Sequence, residues 1–167
     1  MDFYEAIEKR RTVRDFKDKT IPMDIIKRIL SAGLKAPTNN HLREWEFVIV
    51  NDKKERLSVL NLEDMTSYDE CEKMMDGFGM TDSDQRGMYH IAMPKQFSML
   101  YNSGCLILPF FKLREPLMNP TCLSSLNEFA PIWCCIENIL LAAVKEQPVP
   151  EYLTTSFGIL GQLDKNF

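Results

Sequence analysis

Three arginines and a hydroxyl fall within five positions, Arg10-Arg11-Thr12-Val13-Arg14. Guanidinium groups are planar forks whose donors match the oxygens of phosphate and carboxylate. Thr12 adds a small donor able to reach the same anion. The set therefore suits one bound phosphate or carboxylate. It is also what a solvated basic helix end looks like, since cations favour the negative pole of a helix. A second polar stretch follows about 25 residues on, Ala36-Pro37-Thr38-Asn39-Asn40-His41-Leu42-Arg43-Glu44-Trp45. It supplies further donors between a helical pattern and a strand pattern.

The elements that must carry these residues can be read from periodicity. Phe3, Ala6 and Ile7 form one face of a first helix, with Glu5, Glu8 and Lys9 opposite. Pro22 opens a second helix running to Lys35, proline being tolerated at the first turn. Its apolar face is Ile25, Ile26, Ile29, Leu30 and Leu34, with Gly33 allowing a close approach. Pro37 ends it, because the residue before proline is pushed out of the α region. Trp45 to Val50 is β-branched and aromatic, a strand. Asn51-Asp52 caps a helix from Lys53 to about Leu60. Residues 63–90 are polar, methionine-rich and weakly periodic, with loop chemistry from Asp76 to Asp84, and read as a lid-like insertion. A helix is expected from Ala92 to Tyr101. Cys105 to Phe111 is a continuous apolar run, as in a strand buried on both faces, although Pro109 argues for an edge or bulge. The longest helix is expected from about Leu123 to Glu146 and is apolar nearly all round, so it belongs in a core or at a subunit interface. A third strand is expected at Tyr152 to Leu160.

Length and composition narrow the classes. A chain of 167 residues amounts to one domain with a real core, taken as residues 1–167. A net charge of −4 gives no basic surplus for nucleic acid, so the arginine cluster is a local site for one anion. The longest apolar stretch, Phe129 to Val144, is broken by Glu137 and Asn138 and is too short to span a bilayer. The first residues lack the basic and apolar regions of a signal peptide. Five cysteines, none in a C-x-x-C pair, fit small buried hydrophobes in a reducing cytoplasm. Adjacent Cys134 and Cys135 point to different sides of their helix.

Other chemistries find less support. His90 stands alone in the sequence, so no His, Cys and carboxylate set has metal-ligand spacing. Gly77-Phe78-Gly79 lacks the third glycine and the strand-to-helix context of a dinucleotide fingerprint. Asp82 and Asp84 lack the spacing and closing glutamate of a calcium loop. No Gly-x-Ser-x-Gly elbow is present.

The two polar stretches together resemble the FMN-dependent nitroreductase family. That family has Arg-Arg-Ser-x-Arg-x-Phe after its first helix, an Ile-Pro helix start, and Ala-Pro-Ser-x-x-Asn-x-Gln-Pro-Trp before a strand. The matching residues are Arg10, Arg11, Thr12, Arg14, Phe16, Ile21, Pro22, Ala32, Gly33, Ala36, Pro37, Thr38 and Trp45, and the match resumes around Asn138. The resemblance implies an α+β fold, a small central mixed or antiparallel sheet flanked by helices, and a long core helix at a homodimer interface. It implies bound FMN, with NAD(P)H giving hydride to the flavin in a ping-pong cycle that ends on a nitroaromatic or quinone-like acceptor. Arg10, Arg11, Thr12 and Arg14 would hold the phosphate, ribityl chain and pyrimidine edge. Pro37, Thr38, Asn39 and His41 would cover the ring from the other subunit, with Arg43 standing in the place of the family's glutamine and Glu44 in that of its proline. No protein acid or base is implied. Arg43 and Glu44 are also suited to a surface ion pair. The family's glycine-containing segment after the long helix, and its late basic residue, have no evident counterpart beyond Glu146, where Lys165 is the one late base. A weakly active or non-catalytic flavin-binding protein is the alternative expectation.

Overall fold

The computed structural model describes residues 1–16, 19–60, 67–112 and 121–146. The expected strand at 152–160, Lys165 and part of the 63–90 segment lie outside them. In chain order the elements are α1 (Phe3–Lys9), α2 (Met23–Gly33), a 3-10 turn (Asn39–His41), β1 (Trp45–Val50), α3 (Lys53–Val59), α4 (Tyr68–Gly77), α5 (Ser83–Ala92), α6 (Gln96–Asn102), β2 (Leu106–Phe111), a second 3-10 segment (Leu123–Glu128) and α7 (Phe129–Lys145). Helices flanking a small antiparallel sheet make the fold α+β, as expected.

The core is built where α2 meets α7. Ile26 and Ile29 from α2 pack with Ile132, Cys135, Ile136, Ile139 and Ala143 from α7. Gly33 sets how closely the helices approach: a Cβ there would stand 2.5 Å from Ile139 Cγ1 and 3.0 Å from Cys135 Sγ. Arg28 ties the other side of the pair, donating from Nε (3.1 Å) and Nη2 (2.7 Å) to Glu146 Oε2.

β1 and β2 pair antiparallel, from Trp45 opposite Phe111 to Val50 opposite Leu106. Side chains alternate between faces. Trp45 and Ile107 enter the α2–α7 core, whereas Val50, Leu106 and Leu108 join Leu60 and Leu100 in a second cluster. The apolar run of β2 is thus buried on two faces at its start. Pro109, opposite Phe47, is accommodated because β2 has one strand neighbour among the described residues.

Four expectations need correction. The described part of the 63–90 segment, expected to be weakly periodic, holds two helices, α4 and α5, each started by a cap, and the expected loop is confined to residues 78–82 between them. The Ser67 hydroxyl accepts from the Glu70 N–H while the Glu70 carboxylate accepts from that of Ser67; Asp82 accepts from Gln85 N at 2.7 Å. Their buried side is small and made of sulfur, Cys71 and Met75 with Met93, so the apolar period is weak. The 92–101 helix is interrupted around Pro94, which has no N–H for the helical ladder, and α6 begins at Gln96. The α-helical part of the long helix starts at Phe129 rather than near Leu123. Pro131 explains this, since it fits only in a first turn. Finally, the apolar face of α1 is not buried: Ala6 is covered, but Phe3 is 63% and Tyr4 76% exposed, near-neighbours of half-exposed Ile7.

Candidate functional site

The arginine stretch leaves α1 at Arg10, which adopts an extended backbone (φ −61°, ψ 124°) and closes the helix through its N–H to Ala6 O. Residues 11–16 form no helix or strand. Arg11 is partly committed to the fold: Nη1 donates to the carbonyls of Glu8 (2.5 Å) and Arg10 (2.8 Å), the helix-end role that a cation fills well. Arg10 is held loosely, its Nε 3.6 Å from Glu137 Oε1 on α7. Thr12 and Arg14 are exposed, and among the described residues no side chain pairs with Arg14. Past Arg14, Asp15 receives Lys95 Nζ on both carboxylate oxygens, at 3.0 and 2.9 Å. The stretch is therefore fastened at two points, with donors left over between them.

The second stretch follows α2. Pro37 is exposed, and Thr38 precedes the 3-10 turn without its hydroxyl capping it. Asn39 is half-buried, whereas His41 and Arg43 are exposed. His41 has φ +59°, the one left-handed non-glycine residue among those described. Such a backbone costs free energy and often marks a binding loop. Glu44 does not pair with Arg43. Its carboxylate stands 3.4 Å from Lys112 Nζ, and its carbonyl accepts from Lys112 N at 2.9 Å, because β1 and β2 bring residues 44 and 112 side by side. Asn39 and Glu44 border a cleft of about 30 Å³ with Trp45, Phe111 and Pro131. The buried Trp45 Nε1 has no hydrogen-bond partner among the described residues.

Within one chain the structure gathers Arg10, Arg11, Thr12 and Arg14 at the end of α1, and Pro37, Thr38, Asn39, His41 and Arg43 before β1. No hydrogen bond or ion pair among the described residues joins the two groups. Local motifs did not point to Glu137, Asp15 or Lys95, which fasten the first group. Only Asp15 has a sequence signal, its place directly after Arg14.

His90 is not isolated. Its Nε2 meets the Glu72 carboxylate, which also takes Arg86 Nη2, and its ring stacks on Tyr68 with centroids 4.1 Å apart. The hydrogen bonds that Arg86 donates to Asp76 and Glu72 raise its pKa. This network locks α4 to α5. Among the described residues no group of three or more His, Cys, Asp or Glu could hold a metal, and no helix is long and apolar enough to cross a membrane.

The family model described as "Nitroreductase family" matches residues 7–146. An iodotyrosine deiodinase from Haliscomenobacter hydrossis is 37% identical over 51 residues, 30% of this chain and 23% of that protein. The matching stretch thus spans less than a quarter of that relative's length. Among solved structures, an iodotyrosine deiodinase bound to FMN and 3-iodo-L-tyrosine superposes with a TM-score of 0.60 at 20% identity, covering 87% of this chain and 70% of that one. A nitroreductase with bound FMN from Bacteroides fragilis gives 0.53 at 23% identity, covering 87% and 65%. These likenesses concern the fold.

Proposed function

We propose that this chain, which belongs to the nitroreductase family, binds FMN as a homodimer and reduces small electron-poor acceptors with electrons from NAD(P)H. The observation that carries the reading is the Arg10–Arg14 stretch, exposed from Arg11 onward, in which Arg14 has no partner among the described residues and Arg10 is held only at 3.6 Å. Uncommitted guanidinium donors beside a hydroxyl fit a doubly charged phosphate. FMN, when bound, supplies hydride acceptance from NAD(P)H and hydride donation to a nitroaromatic or quinone. The chain's own work is to bind and orient. Arg10, Thr12 and Arg14 hold the phosphate end, and a cation near the pyrimidine edge favours the reduced, anionic state. Pro37, Thr38, Asn39, His41 and Arg43 of the second subunit cover the ring and exclude water. The exposed α1 face, with Phe3 and Tyr4, and the 41% exposed Trp133 on α7 support a subunit contact there. Residues 63–90 act as a cover within a single domain.

A second acceptor class is favoured by the deiodinase relatives: a halogenated phenol, whose carbon–halogen bond becomes carbon–hydrogen while halide leaves. The test is direct. Purified protein, reconstituted with FMN, is expected to show flavin absorbance that NADH or NADPH bleaches without oxygen. A nitroaromatic or quinone should then restore it; restoration by 3-iodotyrosine with iodide release would favour the second class. A protein that takes up no FMN would overturn both.

A further inference from the structure

We propose that Lys95 is a positioning residue for the anion site, because it neutralises the one carboxylate adjoining Arg14. The inference rests on the reading of Arg10–Arg14 as a flavin-phosphate site. Lys95 immediately precedes α6, 80 positions from Asp15 in the chain, and places Nζ 3.0 Å from Oδ1 and 2.9 Å from Oδ2. The pair steadies the local course of the stretch but adds little to overall stability, since the Asp15 side chain is 81% exposed and exposed ion pairs are weak. Its place in the chain gives it another consequence. Asp15 follows Arg14 directly, so their Cα atoms are about 3.8 Å apart. Where the two side chains lie on the same side of the chain, an anion held by Arg14 comes within about a Debye length, roughly 8–10 Å, of the Asp15 carboxylate.

The other acidic group at the stretch, Glu137, faces Arg10 at 3.6 Å. Asp15 and Glu137 are thus each matched by a cation, and Arg14 is left for a ligand. Without Lys95, Asp15 would present a bare negative charge to the incoming phosphate and compete for Arg14. Two like unit charges roughly 7 Å apart in a solvent-rich setting weaken binding by about three- to tenfold.

The experiment compares FMN with riboflavin, which lacks the phosphate, by fluorescence quenching on apoprotein. Lys95→Ala is expected to weaken FMN by about three- to tenfold at low salt and leave riboflavin unchanged, the loss shrinking toward none near 1 M salt. Lys95→Arg should keep wild-type affinity. Lys95→Ala with Asp15→Asn should recover it, and Asp15→Asn alone should bind FMN as well as wild type or better. An unchanged FMN affinity in Lys95→Ala, an equal loss for riboflavin, or a loss that Asp15→Asn does not repair would each overturn the proposal. Arg14→Ala, run beside them, separates the two levels. If it too leaves FMN unchanged, the phosphate-site reading itself fails; if it weakens FMN while Lys95→Ala does not, only the role of Lys95 is lost.

Discussion

Arg56 and Arg14 carry the same side chain and stand at opposite extremes of commitment. Arg56 is 3% exposed and donates to four backbone carbonyls: Val50 (3.4 Å), Asn51 (3.1 Å), Tyr101 (2.8 Å) and Ser103. It joins the end of β1 to the end of α6, where carbonyls would otherwise lack partners. Arg14 is exposed, lies on no regular element and has no partner among the described residues. A guanidinium used by the fold has its donors occupied. On the function proposed above, Arg14 keeps them open for a ligand. The difference separates two roles that composition alone leaves merged.

The largest loss of stability is expected at Arg56. Arg56→Ala should destabilise the protein by ~3–5 kcal/mol, since it strands buried carbonyls as well as losing charge-assisted bonds. In a thermal melt this is a fall of about 6–20 °C. A shift under 2 °C would mean the carbonyl cage contributes nothing. Gly33→Ala comes next. The added Cβ would meet Ile139, so overpacking should cost ~1–3 kcal/mol despite alanine's better helix propensity. Ile139→Val in the same chain should recover part of that loss in urea denaturation. A neutral Gly33→Ala would show that α2 and α7 have slack. Arg14→Ala is the smallest in stability, expected below ~0.5 kcal/mol as an exposed side chain.

How far the sequence could be read follows the range of the interactions. The strand Trp45–Val50 has the expected bounds, because its β-branched run is a local signal. Gly33 at the α2–α7 contact was legible for a similar reason: a lone glycine on an apolar helix face has few other uses. The α4–α5 pair was missed because its buried side is three sulfur residues, too few to set a period, although the Ser67-to-Glu70 capping spacing was there to be used. The start of α7 turned on Pro131, outweighed by the apolar pattern around it. At the site, residue types in one short stretch suggested an anion. The fastenings did not show, since Asp15 and Lys95 lie 80 residues apart and Glu44 and Lys112 lie 68 apart. Pairs of that kind are set by packing, and nothing in local spacing selects one lysine over another.

On the function proposed above, the open guanidinium of Arg14 belongs to a flavin phosphate. Titration of wild-type and Arg14→Ala apoprotein with FMN, read by flavin fluorescence quenching, tests it most directly. The expected result is a loss of roughly ten- to a hundredfold in FMN affinity, the equivalent of ~1.5–3 kcal/mol for a charge-assisted contact, with the melting temperature unchanged. Equal affinity in the two proteins would contradict it.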